Sequence, residues 1–297
     1  MRRVLTIILL IPLALGAVRA MAAEHVDLAL VLAIDVSGSV DGFEARLQRE
    51  GYVAAFADPI VLNAIRSGPA GRIAVTYFEW AGFGHTVATI PWTVIGSEED
   101  AMAFTQALRE RSIVRGRFTS ISGAIGFAMS LFGQSELQAA RRVIDISGDG
   151  PNNIGPLVTS ARDRAARRQI TINGLPIIND RLQPYGLPQI PNLDLYFENC
   201  VIGGPGAFIV VADSFQDFGS AIRRKLILEI AGLMPRDRAR GTARARGAGK
   251  HRLPGVAAPY LPVVHQTPRA PRFEVPDCRI GERLLQQFRF RRFDDSQ

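Results

Sequence analysis

The chain has 297 residues, of which 47% are hydrophobic and 21% charged. That is ordinary globular composition, with room for one large domain or one domain with appendages. The formal net charge of +7 is unevenly spread: 14 basic and 6 acidic residues fall between Pro235 and Gln297, and Arg2, Arg3 and Arg19 charge the start, so the body between is mildly acidic.

The first 23 residues read as a targeting segment. Arg2 and Arg3 give a basic start, Val4 to Val18 an apolar core, and Ala20-Met21-Ala22-Ala23 a run of small residues suited to cleavage. The apolar run is short of the roughly 20 residues that a membrane span needs. The expectation is cleavage near Ala22 or Ala23 and an exported product, periplasmic or extracellular. Arg2-Arg3 alone is a weak pointer to the twin-arginine route. No later stretch is long and apolar enough to span a bilayer, and no recognition motif suggests nucleic acid as a partner.

From residue 24 strand and helix patterns alternate, which predicts a parallel sheet with helices on both faces. Val26 to Ile34 is a continuous apolar run, the mark of a buried strand. A helix follows over about Phe43 to Ala57, opened by Asp41 and Glu44 at capping-box spacing. Arg72–Glu79 and Thr86–Trp92 read as strands joined by the turn Ala81-Gly82-Phe83-Gly84, an antiparallel hairpin. Ser97-x-x-Asp100 opens another helix. Ile121, Ala124, Ile125, Ala128, Met129 and Phe132 form an apolar helical stripe, with Thr119 or Ser120 placed to cap it. Val143 to Ile146 is a core strand, Pro156 suits the first turn of a helix, and Ile170 to Leu175 is a strand. Pro176 to Pro191 is a Pro-rich connection, and Asn192 to Asn199 a short helix. Gly203-Gly204-Pro205-Gly206 turns the chain into a strand over Ala207 to Ala212. The last helix of the body starts near Ser214. Beyond Pro235, Arg, Gly, Ala and Pro mark a linker, with an ordered segment returning over Phe273 to Phe293. The expected division is therefore 1–23 signal peptide, 24–234 domain and 235–297 basic, partly disordered tail.

There are two cysteines, Cys200 and Cys278. In an oxidising compartment they are a candidate disulfide, with two unpaired thiols as the alternative the sequence leaves open. Such a bridge would tie the returning segment to the body.

The residues with the most chemical content are Asp35, Ser37 and Ser39 in Ile34-Asp35-Val36-Ser37-Gly38-Ser39. They lie just past the carboxyl end of the first strand, where open α/β sheets place their ligands. One carboxylate and two hydroxyls at alternate positions suit a hard divalent cation that keeps part of its water. Taken alone, the same residues also suit a strand-end turn with local caps.

The D-x-S-x-S pattern resembles the metal-ion-dependent adhesion site of von Willebrand factor A domains. Thr119, followed by Ala124 and Ile125, matches a second loop of that site, and the strand-end Asp149-Gly150 matches a third. The resemblance implies a metal site formed by Asp35, Ser37, Ser39, Thr119 and Asp149, holding Mg²⁺ or Mn²⁺. The family often has Thr before the last Asp. Here Gly148 stands there, which predicts a more flexible loop. Ser147 to Asn153 and Cys200 to Phe208 are further similar to an uncharacterised family of exported, von Willebrand A-like proteins of Gram-negative bacteria. The resemblance, over Val26 to Gly232, implies a doubly wound α/β fold and a monomeric binding module that is not an enzyme. Its protein partner would offer an Asp or Glu carboxylate to complete the metal shell. Asn152 and Asn153 follow the metal loop and are placed to shape the binding face, although Asn in a turn needs no such explanation, and Tyr77, Trp80 and Phe83 fall near the hairpin turn, where ordinary packing is the simpler reading.

Enzyme readings fit less well. A phosphohydrolase of the haloacid dehalogenase type, with Asp35 as nucleophile, wants a second Asp where this chain has Ser37. A serine hydrolase wants a Gly-x-Ser-x-Gly elbow, and Ser37 has neither glycine. No Gly-x-Gly-x-x-Gly follows the first strand. His25, His85, His251 and His265 lack metal-ligand spacing. The remaining alternatives are a metal-assisted phosphohydrolase using Asp35 and an envelope protein whose metal is purely structural.

Overall fold

The computed structural model describes residues 24–178, 190–233 and 276–294. Strand β1 (His25–Asp35) is buried along nearly its whole length. Successive strand side chains point to opposite faces. Leu28, Leu30, Leu32 and Ile34 therefore enter one apolar core, and Ala29, Val31 and Ala33 enter another. A strand apolar on both sides belongs at the centre of a covered sheet, and β1 is the middle strand of five. The order is β3-β2-β1-β4-β5, with β2 at Ile73–Trp80, β3 at Thr86–Ile95, β4 at Gln138–Gly148 and β5 at Thr171–Pro176. β1 runs parallel to β2 and β4, and β4 to β5. Only β3 is antiparallel, as the second arm of the hairpin. This is the doubly wound sheet expected from the alternation of elements.

Helices α1 (Gly42–Phe56), α2 (Pro59–Arg66), α3 (Glu98–Glu110) and α7 (Phe218–Ala231) contribute to the first core. Helices α4 (Ile121–Gly133), α5 (Val158–Arg167) and α6 (Leu193–Tyr196), a π-helical turn at Phe197–Val201 and helix α8 (Ile280–Asp294) contribute to the second. Helix α2 was not among the expected elements, although its start is written in Asp58-Pro59: Asp58 accepts from the Ile60 amide and Pro59 supplies the preset first-turn φ. The capping box of α1 forms as expected, with Asp41 accepting from the Phe43 and Glu44 amides and Glu44 from the Asp41 amide. Asp41→Ala should cost about 1 kcal/mol, the usual worth of a cap, read as a shift in the urea midpoint. An unshifted midpoint would show that the box does not hold the helix start.

Three boundaries differ from expectation. Residues 207–212 do not form a regular strand but touch β5 through isolated bridges, Gly174 to Ile209 and Ile177 to Ala212. Pro176 has no N–H to donate, and the Phe208 amide is taken by the Asn173 side chain instead. Helix α5 begins at Val158, so Pro156 precedes it rather than opening it. Helix α7 begins at Phe218, because Ser214 and Asp217 bond to each other in the turn before it. The connection expected over Pro176–Pro191 falls mostly outside the described residues, as do the signal segment and most of the basic tail. Among the described residues no helix is long and apolar enough to cross a membrane.

The first core contains a buried ionic cluster. Lys225 of α7 lies 2.6 Å from an Asp145 oxygen on β4 and 2.5 Å from Glu229, one turn on. All three side chains are buried, and Asn173 donates to Glu229 at 2.8 Å. Set between Ile144 and Ile146 in a core strand, Asp145 is legible in the sequence as a buried carboxylate needing a partner. The partner itself comes from a helix 80 positions later and is not.

Candidate metal centre

In this strand order the chain reverses direction across the sheet between β1 and β4, and the crevice outside their carboxyl ends is where such folds bind ligands. Asp35 ends β1 there, and Asp149 follows β4 there. Ile34 pairs with Ser147 across the two strands, which brings the two carboxylate-bearing ends side by side. The third contributor arrives from the loop before α4. Phe118 adopts φ +63°, a left-handed conformation unusual for a side chain with a Cβ. It immediately precedes Thr119. Ser120, not Thr119, caps α4 by accepting from the Gly123 amide at 3.2 Å. The Thr119 hydroxyl is thereby left for the cluster.

The structure brings all five sequence-predicted residues together. The Ser37 amide donates to Asp35 Oδ1 at 2.7 Å, and the Ser37 and Ser39 hydroxyls are 3.0 Å apart. Ser39 donates to Asp149 Oδ1 at 2.5 Å, and the Thr119 hydroxyl lies 3.4 Å from that of Ser37. Asp35, Ser37, Thr119 and Asp149 are buried, while Ser39 and Gly38 keep partial access to solvent. Asp35 Oδ2 is buried without a hydrogen-bond partner. Burial pushes the Asp35 carboxyl well above the usual carboxylate range, and the charge of Asp149 adds to it. Burial likewise raises Asp149 to about 6, against the hydrogen bond from Ser39.

The donor set fits a hard dication. It offers two carboxylates and three hydroxyls, all oxygen, as Mg²⁺ prefers. Among the described residues no group of three His, Cys, Asp or Glu side chains forms a metal-holding cluster, so any cation here rests on hydroxyls and water as well. Gly148 explains itself spatially. A Cβ there would stand 3.0 Å from Asp35 Oδ2, against the orphaned oxygen. The absent side chain keeps the space beside that oxygen clear.

Several supporting residues were only partly legible. Gln48 donates to the Asp35 carbonyl at 3.0 Å and fixes the end of β1. Asn152 and Asn153 staple loops together. Asn153 accepts from the Thr119 amide at 2.9 Å and donates back to the Thr119 carbonyl at 2.8 Å. Asn152 accepts from the Ser122 amide and takes its own amide bond to the Tyr196 hydroxyl. Tyr77 and Trp80 are buried, whereas Phe83 is 61% exposed. The cysteines do pair, as Cys200–Cys278.

The family described as "Protein of unknown function (DUF1194)" matches residues 25–234. The chain belongs to this family. No curated protein matches it in sequence. Among solved structures it is similar to the pilus adhesin SpaC from Lactobacillus rhamnosus GG, at 12% identity and TM-score 0.50, covering 69% of this chain and 31% of that one. It is also similar to proximal thread matrix protein 1 from the mussel byssus, in a form with a zinc-occupied MIDAS motif, at 15% identity and TM-score 0.48, covering 70% and 46%. A third is a von Willebrand factor type A protein from Catenulispora acidiphila, at 13% identity and TM-score 0.44, covering 70% and 43%. The chain spans less than half the length of each. The likeness to SpaC is one of fold alone.

Proposed function

We propose that this protein is an exported binding module that uses a divalent cation, Mg²⁺ or Mn²⁺, to capture a carboxylate of a protein partner. The observation that carries the reading is Asp35 Oδ2, a buried carboxylate oxygen without a hydrogen-bond partner. It stands beside a second buried carboxylate, Asp149, and burial first, then the Asp149 charge, hold the Asp35 carboxyl well above the usual carboxylate range. Two like charges taken out of water are costly unless something neutralises them. A dication held by Asp35, Asp149, Ser37, Ser39 and Thr119 would do so. Its Lewis acidity would supply the attraction for an incoming carboxylate. The protein's own part is to hold those oxygens in place and to leave one side open.

The open side is at Gly38 and Ser39. There Arg115, itself exposed, donates to the Gly38 carbonyl at 3.2 Å. A guanidinium at the mouth favours an acidic partner. Phe43, the second residue of α1, and Phe83 in the hairpin turn are more than half exposed. Both lie at the end of the sheet where the site sits, and they offer apolar contact beside the charged one.

Calorimetric titration of Mg²⁺ and Mn²⁺ into the protein, beside Asp35→Ala, tests the site. Saturable binding that the substitution abolishes supports it. Absence of binding by the folded wild type overturns it. A pull-down with Mg²⁺, controlled with chelator, then tests the partner. A metal that binds with no exchangeable water and no metal-dependent partner would assign the cation a structural role instead.

A further inference from the structure

The helix that returns at Ile280–Asp294 lies outside the region that defines the family, yet it reaches the loop that follows Asp149. Cys278 is joined to Cys200, a buried residue of the π-helical turn. Cys278, Ile280 and Leu284 pack against the second core. This seats the first turn of α8 directly on the loop after Asp149. The approach is close enough that a Cβ at Gly281 would stand 2.1 Å from the Asn152 carbonyl oxygen. One residue on, Glu282 accepts from the Asn152 side-chain amide at 2.8 Å.

Asn152 is a junction. Its Oδ1 accepts from the Ser122 amide at 2.9 Å, and its Nδ2 donates to Glu282 and to the Pro156 carbonyl. Its backbone amide donates to Tyr196 at 3.1 Å. The next residue, Asn153, clasps Thr119 in both directions. Glu282 thus orients the amide that ties the Asp149 loop to the start of α4. Thr119 and Asp149 are two of the five candidate ligands.

We propose that Glu282 is a positioning residue of the metal centre, delivered by the Cys200–Cys278 bond, so that the divalent-cation affinity of this protein depends on the oxidation state of that bond. The proposal rests on the metal-binding reading above. The redox step is a two-electron thiol–disulfide exchange. A dithiol reductant attacks the bridge and the S–S bond breaks. Cys200 and Cys278 each end as a thiol with one proton, and the reductant closes to its own disulfide. With the tether gone, α8 is held, among the described residues, by its packed apolar side chains and the Asn152 contact.

The test has two arms. Amide hydrogen exchange on the metal-free protein follows residues 149–157 in the wild type, Cys200→Ser/Cys278→Ser, Glu282→Ala and Glu282→Gln. Calorimetry with Mg²⁺ follows the same four. Asn152 and Asn153 amides should lose protection in the double-serine and Glu282→Ala proteins. Mg²⁺ affinity should fall by about tenfold, the lower end of what losing an orienting partner costs a metal site. Glu282→Gln keeps an acceptor oxygen for Asn152 and should restore both readouts, which a general loss of stability would not explain. Should the double-serine protein fail to fold, the Glu282 pair decides alone with the disulfide intact. Unchanged protection, or equal Mg²⁺ affinity in Glu282→Ala and wild type, overturns the proposal. A wild type that binds no Mg²⁺ overturns the metal reading instead, and hydrogen exchange still decides whether α8 sets the loop.

Discussion

Lys225→Met should destabilise the fold by about 3–5 kcal/mol, the typical cost of removing one partner from a buried ionic group. The substitution roughly conserves volume but leaves Asp145 and Glu229 facing each other in the core with no cation between them. Urea unfolding at pH 8 measures it. The cost should shrink at pH 5, where a carboxyl can take up a proton and shed its charge. The companion variant is Asp145→Asn. Burial first, and then the Glu229 charge, raise the Asp145 carboxyl to about 7 against the pull of Lys225. In the unfolded chain an Asp titrates near 3.9. Between those values the folded state holds the extra proton, so stability from this group is greatest below about 3.9 and falls as pH rises toward 7. Asp145→Asn has no proton to lose, and its stability profile between pH 5 and 8 should be flatter than that of the wild type. An equally steep profile in the variant would show that another group titrates there. A Lys225→Met protein as stable as the wild type at pH 8 would show that the cluster is not held by its cation.

Asp35→Asn should separate the metal from the fold. The amide oxygen of Asn can still accept from the Ser37 amide, as Asp35 Oδ1 does at 2.7 Å, but the side chain carries no charge. Without metal, the variant should be at least as stable as the wild type, because a buried carboxylate with an orphaned oxygen is gone. With Mg²⁺ at a hundredfold over its dissociation constant, the wild type should gain about 2.7 kcal/mol by linkage and the variant nothing. Melting curves with Mg²⁺ and with chelator measure both halves. Equal stabilisation of the two proteins by Mg²⁺ would place the cation elsewhere. A variant that unfolds in chelator would show that Asp35 holds the loop by more than its charge.

Much of this fold can be read along the chain because the signals are local. The unbroken apolar run of β1 requires cover on both sides, and α4 shows its buried stripe at helical spacing. The capping boxes at Asp41 and Ser97 mark their helix starts by residue type alone. The candidate ligands were legible for a different reason. Their spacing, Asp35-x-Ser37-x-Ser39, survives in one dimension, and the two remaining ligands sit at element ends that the same patterning locates. What failed was of two kinds. The 207–212 segment has strand composition, but the neighbour it would pair with carries Pro176 and offers Asn173 in place of a regular ladder. Its irregularity depends on a partner 35 positions away in sequence. Asn152 and Asn153 looked like turn residues because that is what Asn is alone, and their bonds to Thr119, Ser122 and Glu282 exist only once three loops meet.

The sequence by itself determined the doubly wound architecture, the central place of β1, the cysteine pair as a candidate bridge and the identity of the candidate ligands. Each of these follows from periodicity, local capping chemistry or a short motif. Only the tertiary structure decided how those ligands are held. Parallel pairing of β1 with β4 sets Asp35 beside Asp149, and the left-handed turn at Phe118 precedes Thr119 where it joins them. Gly148 clears the space by an orphaned oxygen, and Lys225 reaches Asp145 from a distant helix. The returning helix α8 finds Asn152 across more than a hundred residues. Those relations are contacts between groups far apart along the chain, and no one-dimensional pattern encodes a contact until packing has brought its two halves together.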